Sequence, residues 1–310
     1  MVLNGYPMRL ALLFSGQGDQ QPSHFERLQI EAAPEMSAAL ARAVPQAWSA
    51  GKISISELQV NRVAQPFIFA LQTNLWGQLF EALPAPICVA GYSLGELAAC
   101  CVAGCFSFEQ GIDLAAQRAA YMDECVASPS GQLAVRGVDA EACEEIALRC
   151  GVEISIRNAA EHFVFGGESS KLEDAARMAE SIGAARVRML GVTTPSHTSY
   201  LADATARFSR RLEPFCTGTL GVPVVSAVDG RISRTASEAA DRLALQISTR
   251  LDWDACLGAV LEMQPEMVLE IGPGRALARM WEERRTGIPA RAADDFRSVQ
   301  GILDWLLRRE

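Results

Sequence analysis

The strongest constraint on the fold is a strand–turn–helix pattern over residues 87–104. An apolar run at 87–91 fits a buried strand, and the stretch after Ser93 is apolar at helical spacing as far as Gly104. Between them, the letters GYSLG match the G-x-S-x-G pattern of a serine on a sharp turn that leaves its hydroxyl clear of the sheet. The N-terminus of the following helix directs free N–H groups at that hydroxyl. We therefore predict that Ser93 is a nucleophile; a serine that only caps a helix is the alternative.

Strand and helix patterns alternate along most of the chain. Buried-strand patterns occur at 8–14, 222–228 and 267–272, and helical patterns occur at 66–83 and 108–126. Alternation of this kind favours a mostly parallel sheet covered by helices. We predict a large α/β domain of the α/β-hydrolase-like type, built from residues 1–127 and 192–310.

The middle of the chain has a different rhythm. Residues 128–191 give the pattern strand, helix, strand, strand, helix, strand, which is the order of a ferredoxin-like unit. Turn-rich segments, SPSG at 128–131 and GVTTPS at 191–196, bracket this pattern. We therefore predict that residues 128–191 form a small ferredoxin-like subdomain inserted into the larger domain.

Charge and composition exclude several classes of function. The net charge is −9 and there is no long run of Lys or Arg, so we expect no nucleic-acid partner. No export signal and no run of about eighteen apolar residues is present, so we expect no membrane association and a cytoplasmic location. Nine cysteines without a C-x-x-C pair fit reduced thiols in that compartment. Neither the P-loop pattern nor G-x-G-x-x-G matches, so we expect no nucleotide cofactor.

The three histidines are the candidate bases for Ser93. His24 lies in a polar stretch after a glycine turn, and His162 begins a predicted strand of the insert. His197 follows the hinge that returns to the large domain and precedes a helix, which places it near a domain cleft. A structural imidazole is the alternative for each of them. None has metal-ligand spacing to a cysteine pair, so we expect no metal site.

Six short segments, in order, resemble the malonyl-CoA:acyl-carrier-protein transacylase family. They cover nearly the whole chain: FSGQGDQ at 14–20, GYSLGE at 91–96, QRAAYM at 117–122, PSH at 195–197, LALQIS at 243–248 and LEIGPGRAL at 269–277. Finer details, among them LAVRG, RNAAEHFVFGG and SHTSYL, are most similar to the malonate decarboxylase epsilon subunit, a branch that serves a decarboxylase complex.

The resemblance implies a role for particular residues of this sequence. Ser93 would be the acyl-accepting nucleophile and His197 its general base, with the imidazole oriented by a backbone carbonyl near Gln246. The N–H groups of Leu94 and Gln17 would form the oxyanion hole.

The resemblance also implies substrate contacts, and it has departures. Arg118 would bind the free carboxylate of a malonyl group, and Asn158 would be a further substrate-binding residue. Tyr92 stands where the family often has His before the serine. Ser15 replaces a proline, and Asp19 replaces a small residue, in the first glycine turn. These departures bear on carrier preference and on the charge at the mouth of the site.

The resemblance implies transfer of a malonyl group from malonyl-CoA to the phosphopantetheine-type thiol of an acyl carrier protein through a seryl ester, with ping-pong kinetics. No cofactor would be bound. The carrier would be the carrier subunit of malonate decarboxylase; a malonyl transacylase of fatty-acid or polyketide synthesis is the first alternative. A serine esterase and a non-catalytic docking subunit are further alternatives. An esterase of the α/β-hydrolase type would need an acidic partner for the histidine, and no Asp or Glu is marked for that role.

Overall fold

The computed structural model describes residues 2–3 and 6–307 of the 310-residue chain. The described strands are β1 (Val2–Leu3), β2 (Tyr6–Pro7), β3 (Leu10–Phe14), β4 (Cys88–Gly91), β5 (Ser130–Arg136), β6 (Glu153–Ala159), β7 (His162–Glu168), β8 (Arg186–Met189), β9 (Thr219–Val225), β10 (Ile232–Thr235), β11 (Leu251–Asp252), β12 (Met267–Ile271) and β13 (Ala290–Ala292). The α-helices are α1 (Pro22–Glu31), α2 (Pro34–Ala43), α3 (Pro45–Ala50), α4 (Ile55–Leu58), α5 (Asn61–Leu79), α6 (Gly95–Val102), α7 (Phe108–Glu124), α8 (Ala140–Cys150), α9 (Ser169–Ser181), α10 (Ala202–Leu212), α11 (Ala236–Leu245), α12 (Trp253–Glu262), α13 (Ala276–Glu283) and α14 (Val299–Leu307).

The large sheet has six strands in the order β10-β9-β4-β3-β12-β13. All neighbouring pairs are parallel except β9–β10 at one edge, which is antiparallel. The central strands β3, β4 and β12 are buried along their whole length, because helices cover both faces of the sheet. This burial explains why β3 and β4 give continuous apolar runs in the sequence, and why the run of β12 is interrupted only by the buried Glu270. The predicted α/β class is confirmed, and the sheet is mixed through its one antiparallel pair.

The small sheet has five strands in the order β11-β6-β7-β5-β8. Neighbours among β5 to β8 pair antiparallel, and α8 and α9 pack against one face of this sheet around a separate apolar core. Its fifth strand, β11, lies outside residues 128–191 and pairs parallel with β6. Two residues are too few to give a strand pattern in the sequence, so this link between the sheets was not expected.

Several helices differ from the sequence expectation. The helix expected from residue 66 begins at Asn61, so Pro66 lies in its second turn rather than at its start. Proline is most common in the first turn of a helix but also occurs further along, so its position is a poor guide to the residue at which a helix begins. The four helices between residues 22 and 58 were not predicted. Ser107 caps α7, since its side chain accepts a hydrogen bond from the Gln110 N–H.

The turn at Ser93 follows the carboxyl end of β4, near the middle of the large sheet. Parallel α/β sheets form their clefts at this edge. One apolar core lies between the small sheet and the face of the large sheet that is turned towards it. This core includes Ile156 and Val164 of the small sheet. The fold therefore places the turn where the two sheets meet. In the part of the chain that the structure describes, no helix combines the length and apolarity needed to cross a membrane.

Candidate active site

The two glycines around Ser93 are required by close packing. A Cβ on Gly91 would lie 2.0 Å from the backbone nitrogen of Glu96, and one on Gly95 would lie 2.0 Å from the carbonyl oxygen of Phe14. Ser93 itself has φ of 54°, a left-handed conformation that non-glycine residues rarely adopt. Strain of this kind clusters at functional sites. The G-x-S-x-G pattern therefore marks a tight, strained turn in this protein.

His197 reaches Ser93 from the far side of the cleft. Its Nε2 lies 2.8 Å from Ser93 Oγ, and its Nδ1 lies 2.5 Å from the carbonyl oxygen of Gln246. Because a carbonyl oxygen only accepts, Nδ1 carries the proton and Nε2 is free to accept the serine proton. The backbone N–H of His197 also donates to the carbonyl oxygen of Ile247 at 2.8 Å, and this hydrogen bond fixes the backbone at His197.

The electrostatic surroundings keep His197 neutral. The side chain is only 2% exposed. Burial lowers the pKa of His197 to about 3; the hydrogen bond to the Gln246 carbonyl opposes this shift, and the positive charge of Arg118 adds to it. The imidazole is therefore in its basic form over the physiological range.

Gln246 joins the groups of the site. Its backbone carbonyl orients His197, and its side-chain Nε2 donates to the carbonyl oxygen of Ser93 at 2.9 Å. The same Nε2 lies 3.3 Å from Glu96 Oε2, and the side-chain oxygen accepts from Arg118 at 3.5 Å. The family resemblance implied a role only for the backbone carbonyl near Gln246. The contacts of the Gln246 side-chain amide were not expected.

Glu96 is a completely buried carboxyl on α6, directly behind the turn. Its Oε2 accepts from the N–H of Ala227 at 3.4 Å as well as from Gln246. Burial raises the pKa of Glu96 to about 8, against the effects of the Ala227 hydrogen bond and the charge of Arg118. Glu96 is therefore mostly protonated at neutral pH. A single carboxyl in an otherwise apolar helix was the available sequence signal.

Arg118 is a buried cation beside the nucleophile. It lies on α7, is 1% exposed, and donates to Gln65 Oε1 at 2.9 Å and to Ser93 Oγ at 3.4 Å. Burial lowers the pKa of Arg118 to about 10, and the nearby Glu96 opposes this shift, so the side chain stays charged at neutral pH. Among the described residues it has no ion-pair partner. A buried cation without a counter-ion is costly, which suits the site to an anionic group.

Gln17 and Leu94 line the same cavity as Ser93, Arg118 and His197. Within residues 2–3 and 6–307, neither Gln17 nor Leu94 donates its backbone N–H to a protein acceptor. Leu94 directly follows the serine at the start of α6, where helix N–H groups are free. Both N–H groups are therefore available to an oxyanion.

Asn158 lies apart from this cavity. It lines a neighbouring cavity with Tyr92 and His162, and its Nδ2 lies 3.4 Å from His162 Nε2. Tyr92 lines both cavities and packs edge-on against Trp253, with ring centroids 5.2 Å apart. The structure therefore places five of the seven sequence-derived site residues in the lining of the Ser93 cavity. Gln246 contacts three of these five, and Asn158 lies in the neighbouring cavity.

The other two histidines are engaged elsewhere. His24 pairs with Asp294 at 3.0 Å and accepts from the Gln21 N–H. Burial and the charge of Arg136 lower the pKa of His162 to about 4. In the described part of the chain, no cluster of three or more His, Cys, Asp or Glu side chains is placed to hold a metal ion.

Several polar residues of the cavity were not anticipated from the sequence. Asn61 donates a hydrogen bond to Thr194 at 2.7 Å, and Gln65 accepts one from Arg118. Gln132 donates a hydrogen bond to the Ser196 carbonyl at 3.1 Å. Amides at helix and strand positions have no distinctive sequence signal, so only the folded geometry identifies them.

A serine on a strained strand–helix turn, paired with a neutral histidine that a backbone carbonyl orients, supplies the nucleophile and base that acyl transfer through a serine ester needs. The chain matches the acyl transferase domain family over residues 13–287, and it belongs to that family. It is an acyltransferase.

Named relatives resemble the chain over almost its whole length. It is 31% identical over 291 residues to the malonyl CoA-acyl carrier protein transacylase of Mycobacterium bovis, covering 91% of this chain and 95% of the relative. The protein of the same name from Escherichia coli K12 is 28% identical, over 96% of this chain and 99% of the relative.

Solved structures give the same result. The crystal structure of the Mycobacterium tuberculosis protein abbreviated MCAT has a TM-score of 0.86 at 30% identity, covering 97% of this chain and 100% of that one. A malonyl-transacylase solved in complex with a type II PKS acyl-carrier protein has a TM-score of 0.85 at 28% identity, covering 96% and 99%.

Proposed function

We propose that this acyltransferase moves a malonyl group from malonyl-CoA to the phosphopantetheine-type thiol of an acyl carrier protein, through an ester on Ser93. The observation that carries the proposal is the contact of Ser93 Oγ with both His197 Nε2 and the buried, unpaired cation of Arg118. The names of the relatives support the substrate pair.

The first half-reaction begins with the serine proton. His197 Nε2 accepts it while Ser93 Oγ forms a bond to the thioester carbonyl carbon. The carbonyl oxygen becomes an oxyanion, and the N–H groups of Leu94 and Gln17 would receive it. The carbon–sulfur bond then breaks, the thiol leaves with the proton from His197, and the malonyl group remains on Ser93.

The second half-reaction reverses these steps with the carrier thiol. His197 takes the thiol proton, the sulfur attacks the seryl ester, and the Ser93 oxygen leaves with the proton returned by His197. Because the two half-reactions use the same groups, one site serves two thiol carriers in turn.

Arg118 supports selection for a malonyl group. A guanidinium pairs with a carboxylate through charge-assisted, bidentate hydrogen bonds worth about 1.5–3 kcal/mol net. An acetyl group would leave the buried guanidinium without a partner. Gln65 and Gln246 hold the guanidinium in place on its other sides, at 2.9 and 3.5 Å.

The small sheet supports transfer over hydrolysis. We propose that residues 128–191 act as a ferredoxin-like unit that forms the second wall of the cleft over an α/β-hydrolase-like large domain, residues 1–127 and 192–310. The strand order β8-β5-β7-β6 supports this description, and Gln132 and Ile156 of that unit line the Ser93 cavity. A wall of this kind limits access of water to the seryl ester.

For the carrier, we propose the carrier subunit of malonate decarboxylase, in the cytoplasm. The sequence segments quoted above support this branch, and nine unpaired cysteines fit a reducing compartment. A malonyl transacylase of fatty-acid or polyketide synthesis is the second candidate, and the names of the relatives fit it better. Transfer rates from malonyl-CoA to the two kinds of purified carrier distinguish these candidates.

The esterase alternative from the sequence is less well supported. An esterase of the triad type needs a carboxylate on His197 Nδ1, where the structure has the Gln246 carbonyl. Asn158, the remaining predicted substrate residue, stays a prediction; its place beside Tyr92 suits contact with a longer part of the substrate rather than with the malonyl group.

The test is the intact mass of the protein after mixing with malonyl-CoA. The wild type should gain one malonyl group, and Ser93→Ala should gain none. The adduct should be released by a holo-carrier protein, which separates the transferase from a non-catalytic docking subunit. An adduct that persists in Ser93→Ala would refute the mechanism, and release only as free malonate would favour the esterase.

A further inference from the structure

The first glycine turn, residues 15–20, places Gln17 in the lining of the Ser93 cavity. The backbone N–H of Gln17 belongs to the peptide that follows Gly16, and the peptide before Gly16 carries the carbonyl of Ser15. Because peptides are planar, only the φ and ψ angles of Gly16 separate the Ser15 carbonyl from the Gln17 N–H. A group that holds this carbonyl therefore helps to set the direction in which Gln17 donates.

Gly16 does not fix this direction by itself. A Cβ on Gly16 would lie 2.8 Å from the carbonyl oxygen of Tyr92, so the position requires glycine, whose φ and ψ are the least restricted. The turn therefore depends on contacts on either side of Gly16. On the later side, Gln20 Oε1 accepts from the Gly18 N–H at 2.7 Å, and Gln20 Nε2 donates to the Leu58 carbonyl at 2.8 Å.

On the earlier side, the contact comes from Gln72, a completely buried residue of α5. Its Nε2 donates to the Ser15 carbonyl at 2.7 Å and to the carbonyl of Ile271, the last residue of β12, at 3.2 Å. Because carbonyl oxygens only accept, the amide nitrogen faces them and uses both of its protons. Gln72 thus ties the start of the glycine turn to the end of β12.

Two further contacts hold Ser15 between β12 and the turn that carries Ser93. The Ser15 N–H donates to the Ile271 carbonyl at 3.2 Å, a bond that a proline at this position could not make. A Cβ on Gly95 would lie 2.8 Å from the Ser15 carbonyl oxygen, so the start of α6 packs directly against this carbonyl. The carbonyl that Gln72 holds is therefore in contact with the backbone beside the nucleophile.

We propose that Gln72 is a positioning residue whose hydrogen bond to the Ser15 carbonyl aims the Gln17 N–H at the developing oxyanion. The inference rests on the proposed function, in which Gln17 and Leu94 form the oxyanion hole. Donors that are fixed before the reaction stabilise an oxyanion most, because they need no reorganisation as the charge develops. Gln72 is completely buried, so it acts through the glycine turn and not by contact with the substrate.

The experiment separates the rate of acylation from the binding of substrate. In Gln72→Leu, the single-turnover rate of malonyl transfer from malonyl-CoA to Ser93 should fall at least tenfold, because a misdirected donor stabilises the oxyanion less. Affinity for free CoA, measured by calorimetry in the Ser93→Ala background, should stay within twofold. Gln78→Leu is the matched control, because Gln78 lies on the same helix, is exposed and donates to Glu31 at 3.4 Å.

A spectroscopic readout tests the direction of the donor itself. Malonyl-CoA with carbon-13 at the thioester carbonyl labels the ester carbonyl on Ser93 for infrared difference spectroscopy. A hydrogen bond from Gln17 lowers the stretching frequency of this carbonyl. The band should therefore move to higher wavenumber in Gln72→Leu and keep its position in Gln78→Leu. Loss of a contact that serves stability alone would lower the urea midpoint and leave the band unchanged.

Gln72→Met is a second variant, since methionine also lacks a donor and is closer to glutamine in length. It should give the same result, and it takes the place of Gln72→Leu if urea unfolding shows that variant to be unfolded. An acylation rate within twofold of the wild type, an unchanged carbonyl band or an equal loss of CoA affinity in the folded variant would overturn the proposal. Failure of the proposed function would look different, because the wild type would then form no malonyl adduct at Ser93.

Discussion

Replacing Arg118 tests how one buried charge sets acyl specificity. The guanidinium is 1% exposed, contacts Ser93 Oγ at 3.4 Å and has no ion-pair partner among the described residues. In Arg118→Gln, a malonyl carboxylate would lose a charge-assisted contact of about 1.5–3 kcal/mol. At about 1.4 kcal/mol for each factor of ten, kcat/KM for malonyl-CoA should fall roughly 10- to 150-fold.

Acetyl-CoA should respond in the opposite sense. The acetyl group offers the guanidinium no partner, so removal of the cation relieves a buried, unpaired charge. The acetyl rate should therefore hold or rise, and the malonyl-to-acetyl ratio should fall by at least tenfold. Arg118→Lys should fall between the two, since lysine keeps the charge and loses the bidentate geometry.

The assay is competition between malonyl-CoA and acetyl-CoA, read from the ratio of the two seryl adducts by intact mass. Urea unfolding of each variant checks that the loss of the Gln65 contact has not unfolded the protein. Arg62→Gln is a control, because this arginine is 53% exposed and pairs with Asp123 and Glu124 at the surface. A ratio within twofold of the wild type, with both rates reduced alike, would refute a role for Arg118 in specificity.

Further residue replacements and pH changes test the turn and the groups that support it. Gly95→Ala should abolish acylation and destabilise the fold, because its Cβ would lie 2.0 Å from a backbone oxygen, whereas Gly77→Ala in α5 meets nothing within 4 Å and should add about 0.5–1 kcal/mol of stability in urea unfolding. Glu96→Gln should keep most of the acylation rate, because its neutral side chain can still accept a hydrogen bond from the side-chain amide of Gln246. Glu96→Ala, which has no acceptor, should lose at least tenfold in the acylation rate. Equal rates in the two variants would contradict this role of Glu96. Since the folded pKa of Glu96 is about 8 against an ordinary 4.5, the wild type should lose stability relative to Glu96→Gln as pH rises from 4.5 to 8, measured by urea midpoints. The pKa of His197 is depressed from 6.5 to about 3, so acylation in single-turnover experiments should not show a fall centred near pH 6.5, and the stability from this group should be complete above pH 6.5 and decline as pH falls towards 3; a rate that halves near pH 6.5 contradicts a neutral, buried base.

The parts of the fold with local signals could be predicted from the sequence. The strand, turn and helix around Ser93 have their apolar periodicity and their glycines within eighteen residues, 87–104, so no distant contact is needed to see them. The central strands β3 and β4 also gave a local signal, since each is a continuous apolar run, and in β12 only Glu270 interrupts the run. By contrast, β11 has two residues and owes its existence to pairing with β6, which is a tertiary contact.

The histidine that contacts Ser93 was harder to assign from the residues alone. Three histidines were open as bases, and spacing did not choose among them; the resemblance pointed to His197, whose Nε2 lies 2.8 Å from the serine oxygen. The side chains of Gln246 and Glu96 were missed because their importance comes from burial and from each other, which a single sequence does not display. Asn158 was expected among the substrate contacts; it lines the neighbouring cavity, which shares Gln17 and Tyr92 with the Ser93 cavity, and its role stays a prediction.

The short strand β11 has a mechanical consequence. Leu251, where it begins, follows Gln246 by only five positions, so the chain that orients the imidazole is tethered directly to the wall opposite. Arg157 of β6 strengthens this tether with ion pairs to Asp252 and Asp254, at 3.1 and 3.2 Å. A movement of the small sheet away from the large sheet therefore displaces the segment that orients the His197 imidazole. Opening of the cleft and alignment of His197 with Ser93 exclude each other.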